Sequence, residues 1–307
     1  MDMPRPFTDP RTTAKGEPRA HVSFRGLETL WLNTGTLCNL ACAHCYIESS
    51  PTNDRLAYLK LDDVRQFLDE ADTTRQPLTS IGITGGEPFM NPEIDAIIEL
   101  CLARGLSVLV LTNAMTPMQH HRATLVDLNA RFPGKLSLRV SLDHFTRDRH
   151  EEERGPRTWQ PTIDGLKWLS DNGFAVAVAG RTLWGESDAE LRAGFAALFK
   201  AEALAIDASD PVQLVLFPEM DEHVAVPEIT TACWQILHKD PGSLMCSHER
   251  MLVRRKGADR ATLTPCTLLP YDLRFDLGPT IAGAARDVPL NHPHCAKFCV
   301  LGGGSCG

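Results

Sequence analysis

Six short apolar runs, spaced so that a helical stretch fits between successive members, restrict this chain to a parallel α/β architecture. The runs are Leu27 to Asn33, Ser80 to Thr84, Ser107 to Thr112, Leu136 to Leu142, Phe174 to Gly180 and Val212 to Phe217. They have strand length and a largely aliphatic, β-branched character, as strands covered on both faces should. Between them, Leu61, Val64, Phe67, Leu68 and Ala71 recur at helical spacing, as do Ile94, Ile97, Ile98 and Leu102 behind Asn91 and Pro92, which read as a helix start. Thr162 to Asp171 and Asp188 to Lys200 predict two more helices.

The rhythm spans residues 27–217 only. Residues 1–26, rich in Pro, Arg, Thr and Gly without an apolar period, predict a loosely attached arm with no fold of its own. After Pro218 the chain turns to Cys, Gly, Pro and His, which predicts a small metal-stapled domain over residues 218–307. Charge argues against some partners: 31 basic against 39 acidic residues, a balance of -8, disfavour a general grip on nucleic acid or an anionic membrane. No run approaches the roughly 18 apolar residues of a membrane span, and Met1 to Arg5 lack a signal-peptide pattern. A soluble, cytoplasmic protein is expected.

Ten cysteines are distributed unevenly, three between Cys38 and Cys45 and six from Cys233 onward, with Cys101 alone between them. In a reducing compartment such clusters serve as metal ligands or reactive thiols. Cys38, Cys42 and Cys45 have the spacing C-x3-C-x2-C directly after the first run. Three thiolates on a four-iron cluster leave one iron open, and an open metal position suggests chemistry rather than scaffolding. A zinc loop with His44 or a distant cysteine as fourth ligand is the competing reading, in which case His44 would not be simple loop structure.

With Tyr46 beside the third cysteine, this triplet resembles the hallmark of the radical S-adenosylmethionine (SAM) superfamily. The resemblance implies a 4Fe-4S cluster, SAM chelating its open iron, and reductive cleavage to a 5′-deoxyadenosyl radical that abstracts a substrate hydrogen. Gly85-Gly86-Glu87-Pro88 ends the second strand; its glycines permit close backbone approach, and Glu87 can accept from a cationic amine. In the superfamily such a loop holds the SAM amino group. Asn113, Ser141 with Asp143, and Arg181 follow the next three strands, so polar groups recur at one end of the sheet, as a nucleoside pocket requires. By resemblance Asn113, Ser141 and Asp143 face the ribose or methionyl group, while Arg181 pairs with the SAM carboxylate. A turn role for Asn113 and a surface ion pair for Arg181 stay open. The segment His150 to Gly155, with Thr158, Ile163 and Leu166, resembles members that carry an extra C-terminal cluster domain. The implied fold over residues 27–217 is a partial (β/α)6 TIM-like barrel.

In the C-terminal region Cys246, Gly257 and Cys266 form C-x10-G-x8-C, and Cys295, Cys299 and Cys306 form C-x3-C-x6-C, suggesting a hairpin and then a knuckle. This is similar to the SPASM and twitch cluster domains. A full SPASM run, C-x2-C-x5-C-x3-C, is absent, so one auxiliary 4Fe-4S cluster on Cys246, Cys266, Cys295 and Cys299 is expected. Cys306, in a Gly-rich ending, is either a rival fourth ligand or a mobile catalytic thiol that binds substrate or returns a hydrogen atom. A zinc knuckle on His292, His294, Cys295 and Cys299 is the alternative. Cys101 and Cys233 read as packing, and Arg254-Arg255-Lys256 as a solvated hairpin tip.

The expected function is a radical SAM enzyme with an auxiliary cluster and an external electron donor such as flavodoxin or ferredoxin. Its substrate is a small molecule or a peptide, the former preferred because the N-terminal arm is too short for a leader-recognition domain. A non-catalytic iron-sulfur or zinc protein is the alternative.

Overall fold

The computed structural model describes residues 5–219, 221 and 225–302. Among these the strands are, in chain order, β1 (His21–Val22), β2 (Thr29–Asn33), β3 (Ser80–Thr84), β4 (Ser107–Thr112), β5 (Leu136–Ser141), β6 (Ala175–Arg181), β7 (Leu214–Phe217), β8 (Glu249–Val253), β9 (Thr262–Thr264) and β10 (Val288–Pro289). The six expected runs are β2 to β7, in place to within two residues at each end. They lie in one sheet of order β7-β6-β5-β4-β3-β2-β8-β9, parallel throughout except for the antiparallel β8–β9 pair. β7 and β9 are its free edges, so the barrel is open rather than closed.

Strand side chains alternate between two layers, because successive Cβ atoms point to opposite faces. Leu30, Leu32, Val108, Val110, Leu138 and Val140 enter a core shared with the helices. Trp31, Leu109, Leu111, Met251 and Val253 face the other way and pack with the C-terminal region. The outer layer holds α1 (Leu61–Thr73), α2 (Ile94–Ala103), α3 (Thr116–Gln119), α4 (Arg122–Arg131), α5 (Arg147–Arg154), α6 (Trp159–Asp171) and α7 (Asp188–Ala201). In α1 the buried side chains are Val64, Phe67, Leu68 and Ala71, the expected stripe, and Asp62 and Asp63 sit favourably at its positive end. Burying a side chain such as Phe67 or Leu68 stabilises the fold by about 1.5–3 kcal/mol. Helix α7 starts with a capping box in which Ser187 Oγ accepts from the Glu190 N–H at 3.3 Å and the Ser187 N–H donates to Glu190 at 2.8 Å. Asn91 stands at the start of α2 as expected, its Oδ1 accepting from the Glu93 N–H at 2.9 Å, while its amide donates to the Thr34 and Leu59 carbonyls at 3.1 and 2.9 Å and ties the loop before the helix to the sheet.

Three expectations are corrected. The segment before β2 is not loose. Arg19 is buried, pairs with Glu228 at 2.5 Å and donates to the Leu290 carbonyl at 3.2 Å, while β1 pairs with β10. Its polar composition hid this because every anchoring partner is distant in sequence. Nor does the sheet stop at residue 217, since β8 extends it beside β2. The basic hairpin tip is not simply solvated: Arg254 pairs with Asp63 at 2.8 Å, Arg255 with Asp276 at 2.7 Å and Lys256 with Asp54 at 2.5 Å, and the two arginines are largely covered.

Candidate active site

The loop after β2 carries Cys38, Cys42 and Cys45, and its backbone is tied on both sides. The Cys38 N–H donates to the Ser50 carbonyl at 3.1 Å, and the Ala43 N–H to the Glu153 carbonyl at 2.8 Å. Two further N–H groups, of Leu40 and Ser49, donate to the sulfurs of Cys38 and Cys45 at 3.4 Å. Burial pushes the Cys38 thiol up to about 12 and also raises that of Cys42, with Arg154 opposing both shifts. Thiolates here are therefore stable only when a metal or cation balances them. Arg154, largely covered at the end of α5, supplies such a cation and is itself held by Asp143. His44 binds Glu153 through Nδ1 at 2.7 Å, consistent with the loop-structure reading.

Gly85 and Gly86 follow β3 and pack directly on the cysteine loop. A Cβ on Gly86 would lie 2.1 Å from the Leu37 carbonyl oxygen, and one on Gly85, whose φ is +137°, would lie 2.5 Å from the Gly35 oxygen. The Gly86 N–H donates to Gly35 at 2.7 Å and the Glu87 N–H to Leu37 at 3.2 Å. These glycines thus lock two loops together. Glu87 is buried and accepts from Thr112 Oγ1 at 2.8 Å, from the Asn113 N–H at 2.9 Å and from the Phe89 N–H at 3.3 Å. Burial lifts its carboxyl to about 7, against the pull of those donors. Its lone pairs largely serve the protein, so it braces the loop as well as facing the cavity. Pro88 opens the short turn Pro88–Met90 and is buried beneath it.

Asn113 follows β4, donating to Asn39 at 2.9 Å and accepting from the Met115 N–H at 3.0 Å; it links the cysteine loop to the turn after β4. Asp143 pairs with Arg154 and, at 3.7 Å, with Arg181. Arg181 donates to the His44 carbonyl at 2.7 Å, so this ion pair is largely covered rather than on the open surface. One cavity is lined by all three cysteines, Tyr46, Gly85, Gly86, Glu87, Asn113, Ser141, Asp143 and Arg181. Its lining also includes Trp31, Leu111, Phe217 and Leu268, together with Arg139 and two residues of the His150 to Gly155 segment, Glu153 and Arg154, none of which the sequence marked as a site residue. Arg139 was legible: in Leu136-Ser137-Leu138-Arg139-Val140-Ser141 strict alternation puts it on the face of Ser141.

The sequence signature of the Radical SAM superfamily matches residues 32–193, more than half of the chain. The chain belongs to the Radical SAM superfamily. It is 35% identical over 144 residues to the antilisterial bacteriocin subtilosin biosynthesis protein AlbA of Bacillus subtilis, covering 46% of this chain and 30% of AlbA. It is 29% identical over 164 residues to the mycofactocin maturase MftC of Mycobacterium tuberculosis, covering 52% of this chain and 39% of MftC. The chain thus spans less than half the length of these relatives. In fold it resembles Streptococcus suis SuiB bound to S-adenosylmethionine, with a TM-score of 0.63 and 14% identity over 88% of this chain and 67% of SuiB. It also resembles anSMEcpe with bound AdoMet, with a TM-score of 0.60 and 14% identity over 83% of this chain and 80% of that one. Radical SAM proteins use a 4Fe-4S cluster and SAM, and the residues here suit both: three thiols of one loop share a cavity with the Gly85–Pro88 loop, and no fourth cysteine lines it among the described residues.

The C-terminal cysteines form a second group within this Radical SAM chain. Cys246 precedes β8, Cys266 follows β9, and Cys295 and Cys299 lie on the π-helical segment Cys295–Leu301. Burial raises the Cys266 thiol well above its ordinary value, and Cys299, Cys295 and Cys246 all lie close enough to raise it further. Burial likewise pushes Cys246 and Cys295 up to about 12. His292 and His294 stack at 4.8 Å beside this group, and the His294 N–H donates to His292 Nδ1 at 3.1 Å. Cys101 is core packing on α2, and Cys233 accepts from the Thr230 N–H at 3.4 Å. Cys306 lies outside the described residues.

Proposed function

We propose that this chain binds a 4Fe-4S cluster through Cys38, Cys42 and Cys45, presents SAM to its open iron, and removes a hydrogen atom from a substrate held in the same cavity. The observation that carries this reading is the shared lining: cysteine triplet, Gly85–Glu87 and the strand-end polar groups face one space. When bound, the cluster and SAM supply a reductively generated 5′-deoxyadenosyl radical; everything else is the work of side chains. Tyr46 and the Gly85–Pro88 loop border the methionyl end, and Asn113, Ser141 and Arg181 offer donors to the ribose and carboxylate. Asp143 orients Arg154 and Arg181, keeping two cations beside an anionic cluster. Trp31, Leu111, Phe217 and Leu268 give the cavity an apolar floor that keeps water from a reactive radical.

Residues 27–217 supply this machinery in our reading, and residues 218–302 close its floor with Leu268 and add one auxiliary 4Fe-4S cluster on Cys246, Cys266, Cys295 and Cys299. The electron enters from an external donor of the flavodoxin or ferredoxin type. The substrate is a peptide, the class of the precursor SuiA bound to SuiB. In this reading the peptide also occupies a second, polar cavity that borders the cysteine loop and is lined by Cys45, Tyr46, Arg55, Tyr271, Arg274 and His292.

Anaerobically reconstituted protein, reduced and given SAM, is expected to form 5′-deoxyadenosine, and a variant with Cys38→Ala, Cys42→Ala and Cys45→Ala is expected to form none. Adding SAM should also change the paramagnetic resonance spectrum of the reduced wild type. No 5′-deoxyadenosine and no spectral change in fully loaded protein would refute the reading and favour a non-catalytic cluster protein. Peptide and small-molecule libraries, screened for a SAM-dependent mass change, test the substrate class.

A further inference from the structure

Arg250, the second residue of β8, is fully buried, and its guanidinium is satisfied only by neutral acceptors. Nη1 donates to the carbonyls of Cys246 and Glu249, both at 2.7 Å. Nε donates to Ala284 at 3.1 Å, and Nη2 to Ala284 at 3.0 Å and to Arg286 at 3.3 Å. The ring of Phe24 lies under the cation at 4.1 Å. None of these partners is a carboxylate. By contrast the buried Arg19 pairs with Glu228, and the largely covered Arg154 with Asp143.

A buried cation without a counter-ion is costly, so the missing negative charge has to come from something other than these partners. The groups that face it settle the source. Arg286 is a second cation; Glu249, the adjacent carboxylate, points its oxygens at Trp31 Nε1, at 2.5 Å, and at His248, at 3.5 Å. Among the described residues the groups left to supply it are Cys246, whose carbonyl accepts from Arg250 Nη1 at 2.7 Å, and Cys266. As neutral thiols they offer no charge. As cluster ligands, they and Cys295 and Cys299 carry the thiolate charge that Arg250 lacks.

We infer that Arg250 is the built-in counter-charge of the auxiliary cluster and that it holds the cluster's reduction potential higher than a neutral residue would. The inference rests on the proposed cluster at Cys246, Cys266, Cys295 and Cys299. Taking up one electron makes such a cluster one unit more negative, and a fixed cation in a dry environment favours that step. Arg250 acts through the cluster's surroundings and ligates no iron.

The test uses the full chain with Cys38→Ala, Cys42→Ala and Cys45→Ala, so that only the auxiliary site is loaded, and adds Arg250→Lys or Arg250→Gln. Iron and sulfide are counted, and the midpoint potential is read by titration with a chemical reductant followed by paramagnetic resonance. About four irons in the parent and the Lys variant, with the Gln variant either shifted to a more negative midpoint or unable to retain iron, is the expected result. A Gln variant with about four irons and the parent's midpoint overturns it, as does a Lys variant that loses iron like the Gln variant. A parent without iron overturns the auxiliary cluster itself, and the role of Arg250 with it, which is a different outcome from either of those.

Discussion

Replacing Gly86 by alanine drives a methyl group into the backbone that carries the first cysteine. The added Cβ would stand 2.1 Å from the Leu37 oxygen and 2.6 Å from its carbon, and neither atom can swing away as a side chain would. A tolerable carbon–oxygen contact is about 3.3 Å, so the two loops must part by about 1.2 Å. That movement breaks or stretches the bonds from Gly86 to Gly35, at 2.7 Å, and from Glu87 to Leu37, at 3.2 Å. Overpacking costs about 1–3 kcal/mol, and two net hydrogen bonds about 1 kcal/mol each. The local total of about 3–5 kcal/mol falls on the loop one residue from Cys38. A displacement of about 1 Å between reacting groups costs about 100-fold in rate, so 5′-deoxyadenosine formation by Gly86→Ala should fall by at least that factor. Gly105→Ala is the control: φ is +79°, nothing lies within 4 Å of the new Cβ, and the site is at the opposite end of the sheet. It should lose about 1 kcal/mol of stability and no activity. If Gly86→Ala cleaves SAM within about threefold of wild type, while retaining the SAM-dependent resonance change, the loops are not locked as described.

Burial holds His150 down at about 4, neither ring nitrogen has a hydrogen-bond partner among the described residues, and Trp159 covers it edge-on at 5.7 Å. The unfolded chain binds this proton near pH 6.5, so stability should fall as pH drops from about 6.5 to 4 by up to about 3 kcal/mol, and His150→Phe should remove that slope in denaturant titrations. The carboxyl of Glu87, lifted to about 7 by burial, is ionised above that pH and neutral below it. Affinity for cationic SAM, measured calorimetrically on the loaded protein, should therefore weaken below pH 7 in wild type and lose this pH dependence in Glu87→Gln. Cys266→Ala should lower the iron content from about eight to about four per chain while leaving the SAM-induced spectral change in place. Equal iron in both proteins would remove the auxiliary cluster.

Local signals made the parallel core readable. β3 and β4 match their expected runs residue for residue, because a strand covered on both faces announces itself by an aliphatic stretch between turns. The cysteine triplet and Gly85–Pro88 were readable for a related reason: each is a contiguous motif whose chemistry needs adjacent residues. What escaped notice depended on distance. Glu249–Val253 reads as an ordinary hairpin strand, and nothing local says that it lies beside β2. Arg154 is one basic residue in a charged helix until Asp143 and the cysteine loop close around it. Arg19 seems to belong to a polar arm until Glu228 is known to sit beside it.

That last arrangement bears on how the chain comes to be folded. The contact from Arg19 to the Leu290 carbonyl closes a loop of 271 residues, and His21–Val22 completes its ladder only with Val288–Pro289. The N-terminal segment is synthesised before the whole β/α region, yet its strand can pair only once residues 288–290 are in place. The layer that carries Cys246, Cys266 and Cys295 shares its core with Ala20, Val22, Val288 and Leu290. The N-terminal strand and the auxiliary cysteines thus stand or fall as one layer, so a change that releases His21–Val22 from Val288–Pro289 is expected to loosen the second metal site as well.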